Sequence, residues 1–173
     1  MGEGLLTTEV KAVLEEIVAK CFYNNRMLDR IVSILSVKFV MPVTGDIIHH
    51  RLAHLYPNIA DLVSDYMAER NCTTIYNETP AGNQDYDSPL DCFNYMLELN
   101  LDLENIVKRA IKVSHDEGDY TTTVFLDSFL RRLIPITDDM LLLVDKATMY
   151  GNSNLSWMKY DNDIEDFYRR EEY

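Results

Sequence analysis

Three of the four histidines in this chain, His49, His50 and His54, fall within a single short stretch. Neutral imidazole offers a lone pair that suits divalent metals. His50 and His54 are four apart and share one face of a helix. Asp61, Asp65 and Glu69 follow on the same segment. At about 100° per residue, His50, His54, Asp61, Asp65 and Glu69 fall within an arc of roughly 100°. Two imidazoles and three carboxylates form a donor set for a divalent ion; a solvated helix face carries the same polar residues. Some 22 Å of helix separates His50 from Asp65, too far for one ion in one chain. Two such helices packed antiparallel across a two-fold axis bring the His end of one to the Asp/Glu end of the other.

The elements that must position these residues are helical. No stretch alternates at period two, and five helices follow from the spacing of apolar residues. The first runs from about Thr8 to Asn25, with Val10, Val13, Leu14, Ile17, Val18 and Cys21 as its stripe. A second covers roughly Arg26 to Val40. Pro42 and Gly45 mark a turn, and a third helix reaches about Asn71 with a kink expected at Pro57. Ser88-Pro89 is a hydroxyl cap followed by a first-turn proline, which starts a fourth helix. It ends near Gly118, and a fifth runs from Tyr120 to Tyr150 through Pro135. An acidic, aromatic tail follows from residue 151, either a short helix or extended.

Loop lengths fix the topology. Short connections after the second and fourth helices make antiparallel neighbours. The 72–87 link is long for a bundle. Sixteen extended residues reach roughly 53 Å, enough to cross a helix of about 39 Å and make the third and fourth helices parallel. The expectation is all-α: a ferritin-like four-helix bundle over 26–150 with one long crossover. An N-terminal extension helix (1–25) and an acidic tail (151–173) flank it.

Composition narrows the classes. Lys and Arg number 16 against 29 Asp and Glu, a formal charge of −13, which repels nucleic acid and anionic membranes over most of the surface. No apolar run has the length of a membrane span, and the N-terminus lacks a secretory layout. Cys21, Cys72 and Cys92 are widely separated and form no CxxC, so a reducing cytoplasm is expected. Ser-His-Asp, Walker and dinucleotide fingerprints are absent.

With these residues in place, positions 26–150 resemble the Dps family of mini-ferritins. His50, Asp65 and Glu69 keep the family's spacing of 15 and 19 residues, inside MAER at 67–70, and SHDEGDYTTTVFLDSFLRR at 114–132 is similar to its turn into the last helix. The resemblance implies a hollow homo-dodecamer that protects DNA, binds and stores iron, or both. Its metal site would straddle two subunits, with His50 and His54 facing Asp65 and Glu69. The family's second histidine corresponds to Lys38, whose ammonium has no lone pair. Lys38 would pair with Asp65 and Glu69 across the interface, leaving the ferroxidase site degenerate. Asp116, Glu117, Asp119 and Asp127 are candidates for an acidic pore lining; favourable charges at a helix start explain them equally.

The family often binds DNA through basic termini. Here Lys11 and Lys20, extended by Arg26 and Arg30, are the candidate contacts, set against Glu3, Glu9, Glu15 and Glu16. Twelve copies would carry a charge on the order of −150, although avidity multiplies a weak contact. Two alternatives stay open beside the degenerate shell. One is a working ferroxidase that consumes iron and peroxide; the other is a helical interaction protein without metal chemistry.

Overall fold

The computed structural model describes residues 4–169. The outermost positions of the expected extension and tail, 1–3 and 170–173, lie outside the described residues. Six α-helices follow one another: α1 Thr8–Val37, α2 Pro42–Ile48, α3 Leu55–Glu69, α4 Pro89–Asp116, α5 Tyr120–Tyr150 and α6 Asn154–Phe167. A π-turn, His49–Ala53, joins α2 to α3. Among the described residues no helix is long and apolar enough to cross a membrane.

α1 corrects the expected break at Asn25. Asparagine favours caps and turns because its side chain competes for backbone hydrogen bonds, so Asn24-Asn25 reads as a helix end. Both amides instead leave the helix for other elements. Asn24 Nδ2 donates to the Leu99 carbonyl at 3.1 Å and Asn25 Nδ2 to the Ala53 carbonyl at 2.9 Å. The extension and the first bundle helix are therefore one element. Its buried seam, Val10, Leu14, Ile17, Cys21, Asn24, Leu28, Ile31 and Leu35, alternates steps of four and three.

α5 repeats that rhythm through Thr122, Leu126, Phe129, Leu133, Ile136, Met140, Leu143 and Ala147. In α4 the seam is Phe93, Met96, Asn100, Leu103, Val107 and Ala110, while Leu101 is exposed. A 3.5-residue repeat is what near-parallel packing of about 20° requires. Side-chain pairs give the directions. Glu16 meets Arg109 and Asn24 meets Leu99, so α1 and α4 are antiparallel. Leu5 N bonds Arg70 O while Asn25 reaches Ala53, so α1 and α3 are antiparallel too. Hence α3 and α4 run parallel, and the link between them crosses the whole bundle.

That crossover lies extended along α1. Glu15 Oε1 accepts from Ile75 N, Arg26 Nη1 donates to the carbonyls of Thr79 and Pro80, and Arg30 Nε donates to that of Gln84. Lys38 Nζ donates to Asp85 Oδ1 at 2.9 Å and to the Tyr86 carbonyl. Residues 15–38 of a helix and 75–86 of an extended chain both measure about 35 Å, so the two advance in step.

The aromatic tail is a docked helix. Trp157, Tyr160 and Ile164 of α6 are buried, and Tyr160 packs on Phe93 with ring centroids 5.3 Å apart. Asp161 caps α2: its Oδ1 accepts from Thr44 N at 2.7 Å, and its Oδ2 from Val43 N at 3.4 Å. A carboxylate at a helix N-terminus satisfies orphan donors and favours the dipole. Tyr168 OH donates to the buried Asp139 Oδ2 at 2.9 Å, and Arg51 reaches the Tyr168 carbonyl. α6 thereby holds the segment that carries the histidines.

Candidate metal centre

The π-turn decides which histidines meet. In an α-helix, residues five apart point about 140° away from one another. Here His54 N bonds His49 O at 3.2 Å, the i→i+5 pattern that stacks such residues one turn above each other. His49 therefore joins His50 and His54. Ring centroids are 4.3 Å apart for His49–His54, 5.0 Å for His49–His50 and 5.5 Å for His50–His54. One nitrogen from each lies within 4.8 Å of the others, and this is the one such group of His, Cys, Asp or Glu donors among the described residues. Two carboxylates flank it: Asp46 Oδ1 at 3.4 Å from His50 Nε2, and Asp29 Oδ1 at 4.0 Å from His49 Nδ1.

Pro57 sits at the start of α3, just past the π-turn. A proline has no N–H, so the carbonyl four residues back, that of Ala53, loses its α-helical donor. Asn25 supplies one in its place. The disturbance expected at Pro57 thus sits about one turn earlier, as a wide turn whose freed carbonyl is satisfied from α1. His49 went unassigned as a ligand because α-helical spacing turns it away from His54. Pro57 was the only sequence signal of the wider turn.

Asp65 and Glu69 lie at the far end of α3. Both are exposed and line a groove of about 350 Å³ with Tyr66, Phe125, Ser128 and Arg132. Tyr66 stacks on Phe125 at 4.1 Å and shares a hydrogen bond with Thr122. Within one chain the structure does not bring these carboxylates to the imidazoles. It joins His50 and His54 to His49 instead.

Most of the remaining candidates have intrachain partners. Within the chain Lys38 is bound to Asp85 and Tyr86 of the crossover. The Lys38 ammonium holds the Asp85 carboxyl below its ordinary value. Asp119 is the N-cap of α5, accepting from Thr122 N at 3.0 Å. Asp116 pairs with Lys112, which lowers its pKa; Glu117 and Asp127 are exposed. Lys11 pairs with Glu15 at 3.7 Å. Lys20 pairs with Asp102 at 3.7 Å and lies over the Tyr23 ring, and burial pulls its pKa down. Arg26 and Arg30 are spent on the crossover carbonyls.

A ferritin-like domain matches residues 51–148, more than half of the chain. The chain belongs to the ferritin-like family. No curated protein sequence matches it. Ferritin-like carboxylate proteins hold a metal pair inside the bundle, on a glutamate from each of two helices and a Glu-x-x-His from each of the other two. This ferritin-like chain has a different interior. Tyr56 OH donates to Asn100 Oδ1 and Asn100 Nδ2 to Thr137 Oγ1, both at 2.8 Å, and Thr137 bonds Glu104. That network ends on a single carboxylate, Glu104, and among the described residues no cluster of carboxylates or imidazoles converges on it, so the interior does not fit an iron pair. The imidazole cluster does fit a cation: three soft-enough nitrogens with two anionic neighbours.

Proposed function

We propose that this ferritin-like chain is the subunit of a hollow homo-oligomeric shell, of about twelve copies, that takes up ferrous iron as cargo. The observation that carries the reading is the outward face of the α2–α3 segment. Asp46, His50, His54, Asp61, Asp65 and Glu69 are all exposed along it, with imidazoles at one end and carboxylates at the other. Two-fold antiparallel pairing of this face joins His50 and His54 to Asp65 and Glu69 of the neighbouring chain. Hard carboxylate oxygens with imidazole suit ferrous iron. Lys38 adds no ligand, so the site binds iron and turns it over slowly. Glu117 and Asp127, exposed near the α4–α5 turn, supply acidic surface along which cations enter.

Light scattering and iron loading test this together. Twelve chains of 20.1 kDa give a particle of about 240 kDa. Asp65→Ala with Glu69→Ala should reduce iron retained per chain at least tenfold. A monomer in solution removes the cavity and overturns the shell. Fast, saturable oxidation abolished by His50→Ala would instead establish a working ferroxidase.

A further inference from the structure

We infer that His49, His50 and His54 form a binding site, complete within one chain, for a late first-row divalent cation of the zinc class. It goes beyond the shell reading and needs no partner subunit. Three observations carry it. The first is the donor set: three imidazoles, each with a nitrogen within 4.8 Å of the other two. Zinc–imidazole bonds are about 2.0–2.1 Å, so nitrogens around a tetrahedral ion stand about 3.3–3.4 Å apart. Small χ rotations of half-exposed and exposed side chains close that difference without moving the backbone.

The second is the turn that makes the set. His49 reaches His54 only because the backbone adopts the i→i+5 register, and π-turns occur frequently at functional sites. This one is fixed from outside the helix, by the Asn25 amide on the Ala53 carbonyl and by Asp161 capping α2. The third is charge. Asp46 and Asp29 place two carboxylates beside two of the rings, and their negative charge balances a divalent ion.

All-nitrogen ligation separates this site from the iron site proposed above. Imidazole suits iron as well as zinc, copper and nickel, but the late metals bind a nitrogen site more tightly than ferrous iron does, whereas carboxylates favour harder ions. His49 is the discriminating residue, since the two-subunit iron site uses only His50 and His54. Three ligands and an open position allow the ion to keep a water.

Cobalt(II) is the spectroscopic probe, titrated into the full-length protein with zinc as competitor. One cobalt per chain should bind, with visible absorption bands that zinc removes. His49→Ala should weaken cobalt binding at least tenfold while iron retention stays unchanged. Asp65→Ala should leave cobalt binding unchanged and lower iron retention, so the two readings fail separately. His115→Ala, which removes the histidine outside the cluster, should change neither. Absence of saturable cobalt binding in the unsubstituted protein, or wild-type affinity in His49→Ala, overturns the inference.

Discussion

Asn25 Nδ2 donates at 2.9 Å to the carbonyl oxygen of Ala53, the oxygen that Pro57 leaves without its helical donor. One side chain on α1 thus offsets a proline in another helix and holds the turn on which the histidines stand. Asn25→Ala should destabilise the fold by about 1–2 kcal/mol, because a part-buried acceptor is left unpaired. Urea denaturation measures this as a lower midpoint at an unchanged slope. The same variant should weaken cobalt binding, since the π-turn loses its outside support.

Acid should loosen the crossover before it unfolds the bundle. The hydrogen bond from Lys38 holds the Asp85 carboxyl below its ordinary value of 3.8. A depressed carboxyl contributes stability that is fully present above its unfolded pKa and is lost as pH falls through the folded one. The Tyr86 amide, which donates to Asp85 Oδ1 at 2.9 Å, should therefore keep a constant protection from hydrogen exchange down to about pH 4 and lose it below. In Lys38→Met the loss should move to higher pH, because the cation that depresses the Asp85 carboxyl is gone.

Duplex DNA should not bind at physiological salt. The chain carries −13, and Lys20, Arg26 and Arg30 already bind Asp102 and the crossover carbonyls. Phosphate contacts need free cations whose counterions can be displaced. A gel shift at 150 mM salt checks this, and retardation lost on Lys20→Ala with Arg26→Ala would contradict it.

Much of the bundle was legible because its signals are local and physical. Ser88-Pro89 starts α4, Tyr120 starts α5, Gly151 ends it, and the 72–87 link is long enough to cross the bundle, as parallel α3 and α4 require. Asn24 and Asn25 misled, because an asparagine that reaches across to another helix looks in sequence like one that caps its own. The triad was only half legible. His50 and His54 stand four apart, but an i→i+5 turn has no side-chain signature. Pro57 announced a disturbance without saying which residues it would bring together.

The hold of α1 on the crossover has a consequence for how this protein can change over generations. Arg26 and Arg30 grip carbonyl oxygens, and every amino acid presents the same carbonyl. Along residues 77–84 the clamp reads a side chain only at Gly82, where an added Cβ would meet Arg26 Cγ at 3.1 Å and the Arg26 carbonyl oxygen at 3.3 Å, so the rest of that stretch is free to drift in identity while its length, that glycine and the two arginines stay put. Homologues should accordingly diverge most where the chain is longest without a helix, and tolerate a foreign epitope of equal length there provided a glycine stays at position 82.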